Sequence, residues 1–346
     1  MHKNYLDLFN RLQLEGPPSE ESLNSRVLIV DGLNTAIRAY SVSPATNTNG
    51  DHVGGISGFL LSVGHAIKTI NPTRVVVVFD GKDGSAKRRA LYPDYKTHRK
   101  IKIRLNRSDQ VDKQDNQLQQ LVRTLDYLAA LPIQTLVVNG AEADDVIAYI
   151  TKSYFTAEDS QVFIMSSDKD FMQLVDHRVH VWSPTKKRIY FADDVYQEYG
   201  IIPENFALFR ALTGDTSDNI PGVRGLGVKT LLARFPAITE KTTLTVNQFF
   251  NYATLQCNNN PKVKLYQVVL NARNDVELFY QITQLSQSMI SGQLRLGIVG
   301  MLNQPIKKAS KVQFHRMLVE DGMTQTIKNV DYWLSEITRK LDWFAQ

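Results

Sequence analysis

The 346-residue chain reads as an α/β protein built on a doubly wound, mainly parallel sheet, followed by a helical module. Three observations predict it. Four short apolar runs rich in β-branched residues end at Asp31, Asp80, Gly140 and Asp168. Segments of helical period (53–70, 116–131 and 142–154) separate them, as expected of buried parallel strands joined by crossover helices. After residue 200 the pattern becomes helical, punctuated by Gly and Pro, in IPENFALFRALTGDTSDNIPGVRGLGVKTLLARF.

In chain order, residues 4–14 have the spacing of a short amphipathic helix, and GPPSEES reads as a linker. The strand runs are VLIVD, VVVVFD, TLVVNG and VFIMSSD. HVW (180–182) and RIYF (188–191) flank SPTKK and predict a hairpin at a sheet edge. The expected organisation is an extension and linker over 1–25, an α/β core over 26–200, a helical module over 201–256 and a mostly helical region over 257–346.

Composition narrows the class. No run approaches the roughly 18 apolar residues needed to span a bilayer. The N-terminus has no continuous apolar stretch of the signal-peptide kind. A single cysteine, Cys257, excludes an internal disulfide and a thiolate zinc cluster and fits a reducing cytoplasm. Net charge is +5 and the pI about 9.0, with the charge concentrated locally. From Lys82 to Arg107 ten Lys/Arg stand against two Asp, the footprint of a polyanionic partner.

The acidic residues carry the chemistry. Asp31, Asp80 and Asp168 stand at or just past strand ends, the edge of an open parallel sheet where ligands bind. Glu142, Asp144 and Asp145 open the helix after the third strand, where the helix dipole eases some of their repulsion. Asp170 follows Asp168 by two, and Asp215 and Asp218 lie in GDTSDN. Any one of them alone reads as an N-cap or turn residue. Nine at one edge read instead as a site for oxygen-preferring Mg²⁺ or Mn²⁺, since these segments hold no His or Cys. Two such ions about 4 Å apart suit phosphodiester hydrolysis by activated water. Even two ions leave about five negative charges in excess, so some carboxylates should face basic residues.

Five blocks in order, VDGLNTAIRAY, VFDGKDGSAKRRALYPDYKTHR, EADDVIAYI, SSDKDFMQLV and GDTSDNIPGVRGLGVKT, resemble the 5′-nuclease (flap endonuclease) superfamily with its PIN-like core. SSDKDFMQL followed by WSPTKKRIY is most similar to the phage enzymes, including phage ribonuclease H. The resemblance spans roughly residues 26–235. It implies a 5′-3′ exonuclease and flap endonuclease acting on DNA flaps or RNA primers in replication, with host cytoplasm as the location for a phage protein. By position Asp31, Asp80, Glu142, Asp144 and Asp145 correspond to a first metal cluster, Asp170, Asp215 and Asp218 to a second, and Asp168 lies between them. Which of Asp144 and Asp145 touches metal stays open.

The resemblance further implies that about 82–115 forms a basic helical arch. Lys96 and Arg99 would neutralise the scissile phosphate and Arg38 would contact a phosphate near the first ion. Arg88 and Arg89 would bind nucleic acid, and Tyr95 would stack on a base. GVRGLGVKT fails as a P-loop because Val228 precedes Lys229, and as a dinucleotide fingerprint because position 230 is Thr. It resembles the turn of a helix–three-turn–helix, in which Gly225, Gly227 and Lys229 would grip duplex phosphates and loop carbonyls would hold K⁺. The partners implied are branched or 5′-ended duplex DNA and RNA–DNA hybrid, with a single-strand binding protein or sliding clamp as protein partners of a monomer. Two rival readings are a branched-DNA binding protein without catalysis and an RNA-directed nuclease of related fold. The first should have lost carboxylates, and against the second stand the basic arch and the glycine-rich helical module, both of which suit a continuous duplex.

Overall fold

A computed structural model describes residues 21–97, 113–285 and 289–346. The expected helix over 4–14, Arg99 and most of the basic segment's far half lie outside the described residues.

Six strands form one sheet in the order β3-β2-β1-β4-β5-β6. These are β1 (Arg26–Asp31), β2 (Arg74–Asp80), β3 (Gln134–Val138), β4 (Gln161–Met165), β5 (Val179–Ser183) and β6 (Arg188–Tyr190). The first five pair in parallel, and β6 returns antiparallel to β5, with Trp182 opposite Ile189. The expected edge hairpin is therefore present.

Both faces are covered, which explains why the strand runs are apolar throughout rather than alternating. Side-chain direction alternates along each strand. Val27, Ile29, Val76 and Val78 join one core, while Leu28, Val30, Val75 and Val77 join the other. Helices α1 (Gly32–Val42), α2 (Gly54–Ile70), α3 (Ala86–Leu91), α4 (Lys113–Ala129) and α5 (Ala143–Tyr149) follow in the crossovers. The helical pattern read to residue 154 continues past α5 as a single π turn, Ile150–Tyr154. The apolar pattern at TLVVNG ends as a strand at Val138, because Gly140 takes a left-handed φ of 77°.

Beyond the hairpin come α6 (Ala192–Tyr199), α7 (Phe206–Thr213) and α8 (Val228–Arg234). They are followed by α9 (Val246–Asn259), α10 (Lys264–Asn271), α11 (Arg273–Thr283), α12 (Gly292–Leu302), α13 (Lys311–Glu320) and α14 (Val330–Phe344). Residues 257–346 divide between the two faces. Val269, Phe279 and Ile298 enter the core beneath α7, whereas Phe314, Trp333 and Leu334 enter the core beneath α2. No helix among the described residues is long and apolar enough to cross a membrane.

Candidate active site

A cleft of about 690 Å³ opens at the carboxyl edge of the parallel strands. Asp31, Asp80, Asp144, Asp168 and Asp215 line it, together with the cations Arg38, Lys96, Lys169 and Arg210.

Local chemistry fixes each acid. Asp31 ends β1 and caps α1, accepting from Asn34 N at 3.2 Å and from Ser166 Oγ at 2.8 Å. Asp80 ends β2, and its Oδ1 accepts from Ala143 N at 2.9 Å, at the positive end of α5. Asp168 follows β4 and caps a 3₁₀ turn (Lys169–Leu174), accepting from Asp170 N at 2.9 Å. The capping role and the cleft role are thus filled by the same carboxylates.

The last wall is the loop GDTSDN. Mutual backbone bonds between Asp215 and Ile220, at 2.7 and 2.8 Å, pin it into a tight turn. Gly214 permits the turn, since at φ 83° a Cβ there would meet Ile220 O at 2.7 Å. Asp170, Asp215 and Asp218 each offer one carboxylate oxygen within 4.8 Å of the others.

Burial and like charge weigh on these groups. Burial raises Asp31 to about 7, with the Asp168 and Asp80 charges adding to the shift. Asp170 rises to about 7, through burial first and then the Asp168 charge. Asp144 is pushed well above the usual carboxylate range, again by burial first, with Asp31 and Asp168 opposing the pull of Lys96. A set of buried acids that raise one another in this way is one that cations would stabilise.

The basic segment enters from the other side. Tyr92 OH donates to Asn219 O at 3.2 Å, Asn219 Nδ2 donates to Asp94 O at 3.0 Å, and Lys96 N donates to Asp218 O at 3.0 Å. These bonds stitch 92–97 to GDTSDN and place Lys96 in the cleft with a left-handed φ of 58°. Lys96 Nζ donates to Glu142 Oε1 at 2.7 Å. Arg38 Nη2 donates to Ser62 Oγ at 2.8 Å, while its buried Nε has no partner among the described residues.

Four of the expected site residues, Arg88, Tyr95, Glu142 and Asp145, come together behind the cleft rather than in its lining. Arg88, read as a nucleic-acid contact, is only 3% exposed. Its guanidinium donates to Asp145 at 2.5 and 2.8 Å and to Glu142 at 2.6 Å, so it is the counter-ion beneath the cluster. Asp145, read as a metal residue, is consumed by that fork and does not face the cleft; Asp144 does. Tyr95, read as a stacking residue, is buried, and its OH donates to Glu142 Oε2 at 3.1 Å. Glu142 also sits behind the cleft wall, at the junction of Arg88, Lys96 and Tyr95. Burial pushes Glu142 up, but Lys96 and Arg88 outweigh it and hold it below its usual range.

Arg89 is exposed on α3, and Gly225, Gly227 and Lys229 are exposed where the chain enters α8, away from the cleft lining. Gly225 has φ 80°, which suits a glycine, and Gly227 caps α8 with open space around it. Arg210 was missed. It lies in the last turn of α7, and its sequence signal is a lone Arg within the apolar stretch FALFRAL.

Residues 26–200 match the family described as 5′-3′ exonuclease, N-terminal resolvase-like domain. A 5′-3′ exonuclease of Aquifex aeolicus is 31% identical over 74% of this chain and 80% of that protein. The thermostable DNA polymerase I of Thermus filiformis is 37% identical over 63% of this chain, which spans only 24% of the polymerase. Among solved structures, the flap endonuclease of bacteriophage T5, in a pseudo-enzyme–product complex with DNA and metal ions, superposes with a TM-score of 0.59. That match has 21% identity and covers 86% of this chain and 99% of that one.

Proposed function

The chain belongs to the 5′-3′ exonuclease family, and on that premise we propose that it is a structure-specific, Mg²⁺-dependent 5′ nuclease acting on DNA flaps and on RNA primers paired to DNA. The observation that carries this reading is the single cleft into which Asp31, Asp80, Asp144, Asp168 and Asp215 open beside Lys96 and Arg38.

The donors fit a hard divalent cation. Among the described residues the cleft lining contains carboxylates but no His or Cys. Asp31, Asp80 and Asp144 would hold one ion and Asp170, Asp215 and Asp218 a second, with Asp168 between them. Two bound ions supply Lewis acidity to the phosphodiester and to the attacking water. Lys96 and Arg38, both lining the cleft, would hold the scissile phosphate's oxygens and neutralise charge as it develops. Ser62 Oγ orients Arg38, and Glu142 keeps Lys96 aimed at the cleft. Arg88 answers part of the charge excess from below, so that the cleft-facing acids stay available. The exposed glycine turn before α8 suits duplex phosphates away from the cut, with Lys229 as its cation and loop carbonyls for K⁺.

The test is a denaturing gel of a 5′-flapped duplex, labelled at either end, with Mg²⁺ or EDTA. Mg²⁺-dependent products at the junction or running from the 5′ end are expected. An intact substrate that still shifts on a native gel would leave a DNA-binding protein.

A further inference from the structure

The two halves of the acidic cleft are neutralised differently. Asp31 and Asp80 take their hydrogen bonds from a hydroxyl and from backbone N–H groups. Arg88 binds Asp145 and Glu142 from outside the cleft lining, and Lys96, in the cleft, binds Glu142. Arg210 is placed otherwise, inside the cleft. Its Nε donates to Asp170 Oδ1 at 2.8 Å and its Nη2 to Asp215 Oδ2. Those residues are two of the three whose oxygens converge in the Asp170–Asp215–Asp218 triad. The other oxygen of Asp215 is also committed, to Ser217 N at 2.8 Å and Ser217 Oγ at 2.7 Å. The guanidinium is largely buried, at 16% side-chain exposure, so solvent screens it little.

We propose that Arg210 is a built-in competitor for the second cation: it holds Asp170 and Asp215 while that site is empty and makes it the weaker of the two. A divalent ion at the triad must displace the fork from oxygens it needs and accept a positive neighbour. At the first site Asp31 and Asp80 are held by neutral donors, and Lys96, whose charge pulls on Asp144, has its Nζ on Glu142 rather than forked across two of the ion's oxygens, so the penalty there is smaller. The fork also has a structural task, since it places a guanidinium between Asp170 and Asp215, two acids that would otherwise repel. This inference rests on the metal-dependent reading of the cleft and specifies how its two sites differ.

The test measures Mn²⁺ binding to the full chain by titration calorimetry, without nucleic acid. Wild-type protein should show a tight and a weak site. Arg210→Gln should tighten the weak site tenfold or more and leave the tight one within about twofold. It should also lower the melting temperature of the metal-free protein, with Mn²⁺ restoring it. Arg210→Lys keeps the charge without the fork and should stay within about threefold of wild type at the weak site. If Arg210→Gln fails to fold without metal, Arg210→Lys decides alone: tightening of tenfold or more there would overturn the charge argument. An unchanged or weakened second site in Arg210→Gln would reduce Arg210 to a strut. Cleavage does not enter the measurement, so two bound Mn²⁺ with no nuclease activity would sink the proposed function and leave this inference standing.

Discussion

Asp168 both caps a turn and lines the cleft, and its substitutions should separate the two roles. Asp168→Asn keeps an oxygen for Asp170 N, so it should abolish cleavage and leave the melting temperature nearly unchanged. Asp168→Ala should abolish cleavage and also cost about 1 kcal/mol, the usual value of a lost cap. Gel assays beside thermal melts would check both, and activity in either variant would refute the two-ion assignment. For Lys96, alanine should lower kcat more than it raises KM, because the charge matters most as the phosphate gains charge. An equal loss in both would make Lys96 a tether. Most of the acidic set was legible in the sequence because Asp31, Asp80 and Asp168 follow strand runs and Glu142, Asp144 and Asp145 open a helix, while Asp215 and Asp218 stood out only as a pair in the loop GDTSDN. Arg88 and Tyr95 were not, because a count of charges and rings carries no burial. Both lie under the cluster that a surface reading assumed they would flank.

At the scale of elements, the strands were legible because burial on both faces demands unbroken β-branched runs. Their ends were less so: TLVVNG looks like strand to Gly140, but a left-handed residue ends the ladder earlier. One buried ring on β5 gives this scale its own prediction. His180 donates through Nε2 to Gln161 Oε1 at 2.8 Å, packs against the rings of Phe163 and Phe191, and leaves Nδ1 buried without a partner among the described residues. Burial lowers its pKa below 6.5, with His177 in the same sense and Asp176 opposing. The unfolded chain therefore binds this proton more readily, and the contribution to stability is complete above 6.5 and lost as pH falls through the folded value. The raised Asp31 and Asp170 work in the opposite sense, so the histidine is read from the difference: as pH falls below 6.5, wild-type protein should lose melting temperature relative to His180→Phe. Parallel curves for the two proteins would refute the assignment.

The whole molecule is where sequence reasoning reached least far. That residues 257–346 part to opposite faces depends on contacts hundreds of positions apart, which no local pattern encodes. Trp333, Leu334, Ile337 and Leu341 of α14 are all buried, and the Trp333 ring lies where a Cβ on Gly64 of α2 would meet it at 2.8 Å. At about 1.5–3 kcal/mol each, four such side chains bring about 6–12 kcal/mol, comparable to a domain's net stability of about 5–15 kcal/mol. Deleting residues 307–346 should therefore leave a chain that binds an apolar dye and melts without cooperativity. A truncated protein with the wild-type transition would show that the α2 face is stable uncovered.

The same packing sets the polarity of the molecule as an object to be handled. Gln346 N donates to Ile306 O, Ala309 N to Asp342, and Lys340 to Asn71 O, close to where β2 begins. The chain therefore comes to residue 346 at the amino edge of the sheet, whereas the cleft opens at the carboxyl edge. A biotin or other tether joined there would anchor each molecule to a glass surface with its cleft facing the solution. Immobilised copies would then share one orientation, and a nucleic acid could be drawn past them under flow.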